Sequence, residues 1–171
     1  MLLETTRLFI RPLAPPEWPH LARLLAIADT PAGQLHRGRA MQVLPEQLGD
    51  AGAFDVTRDA LCLGLFLRES GELCGAMGVG PHDELHETEV CYALFPEWRE
   101  RGYATEACQA VTAWTFSTYP LSYLIGTAPV ERIPAQQVYE HSGYVYLGIR
   151  PLRMPPTGER RYFCYYRCYR P

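Results

Sequence analysis

From Leu3 to Leu13 the chain alternates apolar and polar positions with the period of a half-buried strand, and Pro12, Pro15 and Pro16 mark the turn that ends it. Trp18, Leu21, Ala22, Leu25 and Ala28 then recur at i, i+3, i+4 and i+7, the spacing of a helix with one buried face. Thr30 to Ala60 is less regular and predicts a loop with a second helix around Pro45 to Arg58. Leu61–Arg68 and Glu72–Val79 predict two strands joined at Ser70-Gly71, a hairpin signal. Gly80-Pro81-His82-Asp83 reads as a loop, and Leu85–Phe95 as a strand broken by Pro96. Arg101–Thr118 predicts a helix with the apolar stripe Ala104, Ala107, Cys108, Val111 and Trp114. After Pro120 come a strand, Leu121–Ala128, and a short helix, Pro134–Ser142, closed by Gly143. Tyr144–Arg150 and Arg161–Tyr169 are the last two strands, around a loop holding three prolines, Pro151, Pro155 and Pro156. This order predicts one α/β (α+β) domain over residues 1–171, with a mixed, mostly antiparallel central sheet and helices on both faces.

The 171 residues suffice for a full core, and 47% hydrophobic with 20% charged is the composition of a globular protein. A net charge of -3 argues against a nucleic-acid binder, which carries a basic face. Met1-Leu2-Leu3-Glu4-Thr5-Thr6-Arg7 has neither the basic nor the apolar region of a signal peptide. The dense apolar run Leu61–Leu67 is too short to span a bilayer. Both point to a cytoplasmic protein that is not membrane-bound. Every basic side chain apart from histidine is arginine, the composition of a GC-rich coding sequence. The six cysteines form no C-x-x-C pair and no zinc-ligand spacing, so reduced core thiols and no metal site are expected.

Candidate chemistry concentrates at Pro96-Glu97-Trp98-Arg99-Glu100-Arg101-Gly102-Tyr103-Ala104-Thr105-Glu106-Ala107. A strand leads into this segment and a helix leaves it through the turn Arg99-x-x-Gly102-x-Ala104. A helix starting there directs unpaired N–H groups and the positive end of its dipole outward, a seat for a pyrophosphate. On the preceding strand, alternation puts Glu87, Glu89, Cys91 and Ala93 on one face. Glu89 is thereby a candidate proton acceptor, or else an ion-pair partner for one of the arginines.

The strand Glu89–Phe95, this turn and the distal Val138-Tyr139-Glu140-His141-Ser142-Gly143-Tyr144 together resemble the GCN5-related N-acetyltransferase (GNAT) superfamily. The opening Leu3-Glu4-Thr5-Thr6-Arg7-Leu8-x-x-Arg11-Pro12-Leu13 is similar to the first strand of its RimJ/RimL-like branch, which acetylates ribosomal-protein N-termini. The resemblance implies acetyl-CoA as cosubstrate and a strand splay that binds it. Pyrophosphate contacts would come from the turn that opens at Arg99, through the N–H groups of Glu100, Arg101, Gly102, Tyr103, Ala104 and Thr105. The pantetheine arm would pair with the backbone of Tyr92, Ala93 and Leu94, one N–H of which polarises the thioester carbonyl. Tyr139 stands where relatives place a general-acid tyrosine. The implied activity is N-acetylation of a primary amine, either a protein N-terminus or a small molecule. The alternative is a catalytically silent acyl-CoA-binding sensor or scaffold of the same fold.

Two positions depart from the family pattern. Thr127 stands where some relatives carry a base, and Arg132 where the family often has Asn, seven residues before Tyr139. Arg132 can reach a cofactor phosphate or an acidic substrate, or stay solvated at the start of the helix. Exposed edge strands and the aromatic last strand allow a homodimer, although the same aromatics can fill a monomer's core.

Overall fold

An eight-stranded sheet organises the protein in a computed structural model that describes residues 3–27, 55–154 and 157–171. The strands are β1 (Leu3–Glu4), β2 (Leu8–Pro12), β3 (Leu61–Leu67), β4 (Leu73–Pro81), β5 (Thr88–Leu94), β6 (Tyr123–Pro129), β7 (Val145–Met154) and β8 (Glu159–Tyr169). The described helices are α1 (Trp18–Ile27), α2 (Tyr103–Thr118) and α3 (Ile133–His141), with short 3-10 turns at Pro15–Glu17 and Pro96–Trp98. The sheet order is β1-β2-β3-β4-β5-β6-β8-β7. Every neighbouring pair is antiparallel except β5 and β6.

Each face of the sheet carries a helical layer because each buries its own apolar set. Leu13, Leu21, Leu24, Cys62, Ala76, Ala93 and Phe95 form a cluster under α1. The larger cluster on the opposite face joins Leu63, Leu65, Met77, Val90 and Leu124 to Ala104, Ala107, Cys108 and Val111 of α2 and to Tyr139 of α3. The six cysteines are free, and all but Cys168 are buried. Burial alone pushes the Cys62 thiol up to about 12, so it stays protonated as a small apolar side chain.

Element boundaries differ from the sequence reading where a local device overrides periodicity. The first strand breaks at Thr5–Arg7, where the Thr5 amide bonds the Leu8 carbonyl, the Leu8 amide bonds the Thr5 hydroxyl oxygen and the chain turns. The strand predicted from Leu85 begins at Thr88, because His86 takes φ +54° in the turn before it. β7 runs through Pro151 to Met154 because it is the edge strand, where a missing N–H costs no ladder bond. The helix predicted around Pro45–Arg58 lies mostly outside the described residues. Its last four, 55–58, form a turn in which the Arg58 amide bonds the Asp55 carbonyl at 2.9 Å.

Candidate active site

The site begins where β5 and β6 part. These parallel strands share a single bridge, Glu89 with Ile125, and then diverge. In the β4–β5 ladder the bonds His82 N–H to Glu87 O and Phe95 N–H to Cys74 O fix which residues face β4. Residues 89, 91, 93 and 95 turn their main-chain groups to β4, and Val90, Tyr92 and Leu94 turn theirs towards β6. Beyond the bridge, side chains take two of the released carbonyls. The Tyr139 hydroxyl donates to Val90 O at 3.0 Å, and Arg99 Nε donates to Leu94 O at 3.1 Å. Beyond the bridge, neither Tyr92 nor Leu94 has a partner residue on β6. Ala93, whose backbone pairs with Ala76, lines the cleft but offers it no main-chain donor.

A cleft of about 810 Å³ fills the gap. Glu89, Thr127 and Tyr139 line it near the bridge, and Arg99, Glu100, Gly102, Ala104 and Thr105 line it at the other end. The turn there is strained. Glu100 has φ +59°, a left-handed conformation that costs a non-glycine residue on the order of 1–2 kcal/mol. Gly102 follows as the N-cap at φ +80°, ψ 1°, accepting the first helical bond from Glu106 N–H at 3.1 Å. The N–H groups of Tyr103, Ala104 and Thr105 therefore have no acceptor within the helix. The Arg101 and Tyr103 side chains do not line the cleft. The Arg101 guanidinium lies 5.0 Å from the Trp98 ring centroid, and Tyr103 meets Trp98 edge-on.

A strut from the other end of the chain holds this turn. Glu106 Oε1 accepts from the Thr5 hydroxyl at 2.6 Å and the Arg7 amide at 2.7 Å, and Oε2 accepts from Arg7 Nε at 2.7 Å. Arg7 Nη1 also donates to Arg101 O at 2.8 Å, inside the turn. Burial pushes the Glu106 carboxyl up, but the bonds from Thr5 and Arg7 more than offset it and leave it below its ordinary value. On the far side, Gln109 Nε2 donates to His141 O at 2.8 Å and brings α3 against α2.

Two titratable groups face the fork from opposite sides of the sheet. Glu89 is 2% exposed, and its Oε1 accepts from the Thr127 hydroxyl at 2.6 Å. The carboxylate thus reaches across from β5 to the residue on β6 where relatives of this pattern were expected to carry a base. Burial raises its pKa, opposed by His82 and by the bond from Thr127. Glu87, two residues back, is committed elsewhere: it accepts from the Tyr165 hydroxyl at 2.9 Å and from Arg167 Nη2 at 2.7 Å. Tyr139 is also 2% exposed, stacked on Tyr166 at 5.6 Å and 25° and tilted against Tyr144 at 5.3 Å. Its pKa is raised well above the ordinary phenol value by burial first and then by the charge of Glu89. It is therefore a proton-bearing hydroxyl at neutral pH.

The structure thus gathers Glu89, Tyr92, Ala93, Leu94, Arg99, Glu100, Gly102, Ala104, Thr105 and Tyr139 around one cleft, together with Arg132 at the start of α3. The sequence reading missed the Thr5–Arg7–Glu106 strut, because partners about a hundred positions apart leave no local signal. It also missed Gly126, although a glycine inside an apolar strand is itself a sign of close approach. A Cβ there would lie 2.3 Å from Tyr139 Cε1.

Comparison with known proteins agrees with this geometry. Residues 7–145 match the acetyltransferase (GNAT) domain family, and the chain belongs to that family. Over 79 residues it is 29% identical to YnaD, an uncharacterised N-acetyltransferase of Bacillus subtilis (strain 168). That alignment covers 46% of each chain, less than half the length of the relative. A GNAT-family acetyltransferase from Bacillus anthracis superposes with a TM-score of 0.70 at 22% identity, over 99% of this chain and 98% of that one. The ribosomal-protein-S5-alanine acetyltransferase of Vibrio fischeri gives 0.70 at 14% identity, over 99% and 96%. These two likenesses establish the fold.

Proposed function

We propose that this GNAT-family protein, acting as one unit over residues 1–171, transfers the acetyl group of acetyl-CoA to a primary amine. The amine is a protein amino terminus or a small molecule; likeness to a structure named for ribosomal protein S5 favours the former. The observation that carries the reading is the fork itself. β5 leaves β6 after one bridge, and beyond it lie an open main-chain edge, a helix N-terminus and two protonatable groups.

The residues fit the cosubstrate. The left-handed turn at Glu100 and Gly102, with the free N–H groups of the first turn of α2, suits a pyrophosphate. The Tyr92 and Leu94 main chain suits an extended amide-bearing arm that adds like a strand. When bound, acetyl-CoA supplies the acetyl group as an activated thioester. Glu89 takes a proton from the incoming ammonium at the carboxylate oxygen that Thr127 leaves open, which frees the nitrogen lone pair for attack. Its raised pKa moves it toward the operating pH of a general base. Tyr139 exchanges its bond to Val90 O for one to the departing sulfur and delivers its hydroxyl proton there. As the amine becomes an amide its nitrogen loses a second proton, which restores the Tyr139 hydroxyl; the sulfur leaves as a thiol, and the first proton passes from Glu89 to solvent.

Titration calorimetry of acetyl-CoA into the protein, with free CoA for comparison, tests the cosubstrate. One-site saturable binding is expected, and its absence in folded protein refutes the reading. Turnover is then read with a panel of peptide amino termini and small amines. Tyr139→Phe is expected to lower kcat about 10²-fold or more, in the range of one lost acid catalyst, with cofactor affinity little changed. Wild-type turnover in that variant removes the acid role, and binding without turnover across the panel removes the enzyme reading.

A further inference from the structure

His82, in the turn between β4 and β5, holds a donor that nothing in the described structure uses. The residue is 7% exposed. Its Nδ1 accepts from the backbone amides of Glu84 and Leu85, each at 3.2 Å. With Nδ1 engaged as an acceptor, the ring hydrogen sits on Nε2. That Nε2 is buried and has no hydrogen-bond partner. A buried, unpaired N–H is costly, and such a group in a native fold calls for an explanation.

The β4–β5 register indicates where it points. Gly80 stands opposite Glu89, and the His82 amide bonds the Glu87 carbonyl at 2.9 Å, continuing the same ladder. Residues opposite each other share a face, so the His82 ring lies on the face of Glu87 and Glu89, diagonal to Glu89. Glu87 already accepts from Tyr165 and Arg167. Glu89 accepts from the Thr127 hydroxyl at Oε1 and is also stabilised in its charged form by the Thr127 amide, and the described hydrogen bonds leave its Oε2 without a side-chain donor. An orphan donor and an under-used carboxylate therefore share one buried corner of the sheet.

We propose that His82 is the positioning residue of the proposed base: its Nε2–H donates, directly or through one water, to the Glu89 carboxylate. The proposal rests on the reading of Glu89 as proton acceptor. Thr127 and His82 then hold the carboxylate from β6 and from the β4–β5 turn, and fix which oxygen lone pair faces the cleft. The other groups around Glu89 are Glu87 just before its strand and Cys91 on it, Asp83 beside His82, Tyr139 on α3, and Tyr165 and Arg167 on β8. Of these, Asp83 raises the Glu89 pKa, whereas His82 and Thr127 favour the ionised form.

The test needs no acceptor substrate. Protein carrying carboxyl-labelled glutamate is titrated by carbon NMR, with the Glu89 signal assigned through Glu89→Gln. In His82→Ala, loss of a donor to the charged form is expected to raise the Glu89 midpoint by about one pH unit, a tenfold change in its ionisation constant. His82→Gln, whose amide restores a donor near the Nε2 position, returns most of the shift. An unchanged midpoint in folded His82→Ala overturns the proposal, as does a midpoint in His82→Gln that stays with that of His82→Ala. If His82→Ala does not fold, the shift of His82→Asn relative to His82→Gln decides instead. Nitrogen NMR of the wild-type histidines gives a second reading: hydrogen on Nε2 of His82 is required, and hydrogen on Nδ1 refutes it. Either failure leaves acetyl-CoA binding and turnover to be judged separately.

Discussion

Gly126→Ala tests whether the fork is held open by a ring wedged against a strand. A Cβ at residue 126 would sit 2.3, 2.5 and 2.8 Å from Cε1, Cδ1 and Cζ of Tyr139. Carbon atoms in comfortable contact are about 3.5–4.0 Å apart, so the ring must retreat by about 1.2 Å or more. It has nowhere to go. Tyr166 stacks at 5.6 Å, Tyr144 lies at 5.3 Å and Tyr92 at 6.1 Å between centroids. A shift of that size also breaks the 3.0 Å bond to Val90 O and leaves a buried carbonyl without a donor. Overpacking of this kind costs about 1–3 kcal/mol and the unpaired carbonyl about 1–3 kcal/mol. The sum, about 2–6 kcal/mol, corresponds to a Tm lower by about 4–24 °C for a chain of this size. Urea unfolding of Gly126→Ala, Tyr139→Ala and the double variant reads the interaction directly. In the Tyr139→Ala background the cost of Gly126→Ala is expected to fall below about 0.5 kcal/mol, because the clashing ring is gone. A full cost in that background, or wild-type stability of Gly126→Ala alone, refutes the wedge.

Gly102→Asp places a carboxylate at the N-cap of α2 with φ near +80°, and acetyl-CoA affinity by calorimetry is expected to fall at least about tenfold through repulsion of a pyrophosphate; unchanged affinity removes the pyrophosphate assignment. Glu106→Gln weakens the strut to Thr5 and Arg7, with an expected stability loss of about 1–2 kcal/mol at pH 7, discounted because Arg7 is 44% exposed. The folded pKa of Glu106 is depressed, so its contribution is present above the ordinary carboxylate pKa and lost as pH falls through the lower folded value. Urea melts from pH 7 to pH 3 should show wild type and Glu106→Gln converging at the acid end, and a pH-independent gap sinks this account.

The parts legible in the sequence are those written in short-range periodicity. The hairpin at Ser70-Gly71, the helix predicted over Arg101–Thr118 and the face shared by Glu87, Glu89, Cys91 and Ala93 follow from spacing alone, and each has its counterpart in the structure, the helix starting two residues later, at Tyr103. Strand order was not legible, because nothing local says that β8 inserts between β6 and β7. The divergence of β5 from β6 was legible only through the family resemblance, since its structural surroundings include a tyrosine from α3 packed against Gly126 of β6, which no local spacing announces. The extension of β7 through Pro151 was hidden for a related reason: a proline stops a strand inside a sheet but not at its edge, and edge status is a property of the whole topology.

A parallel pair of strands would ordinarily continue its ladder past Glu89, and divergence would leave buried carbonyls unpaired at a cost of about 1–3 kcal/mol each. This chain meets that cost with side chains chosen by position. Tyr139 takes Val90 O, Arg99 takes Leu94 O, and Thr127 turns its hydroxyl to Glu89 instead of leaving the carboxylate bare. The carbonyls relieved in this way are the ones flanking Tyr92, which lines the cleft and has no partner residue on β6. The edge offered to a ligand is therefore one residue and one further amide long. It is bounded at one end by the proposed acid and base, and at the other by the arginine that opens the turn into α2. A strand that simply frayed would present unsatisfied groups along its whole length. One satisfied on both sides of a single gap presents them only where the proposed extended arm lies, so on that reading the groups that hold the fork apart also set the register of what binds in it.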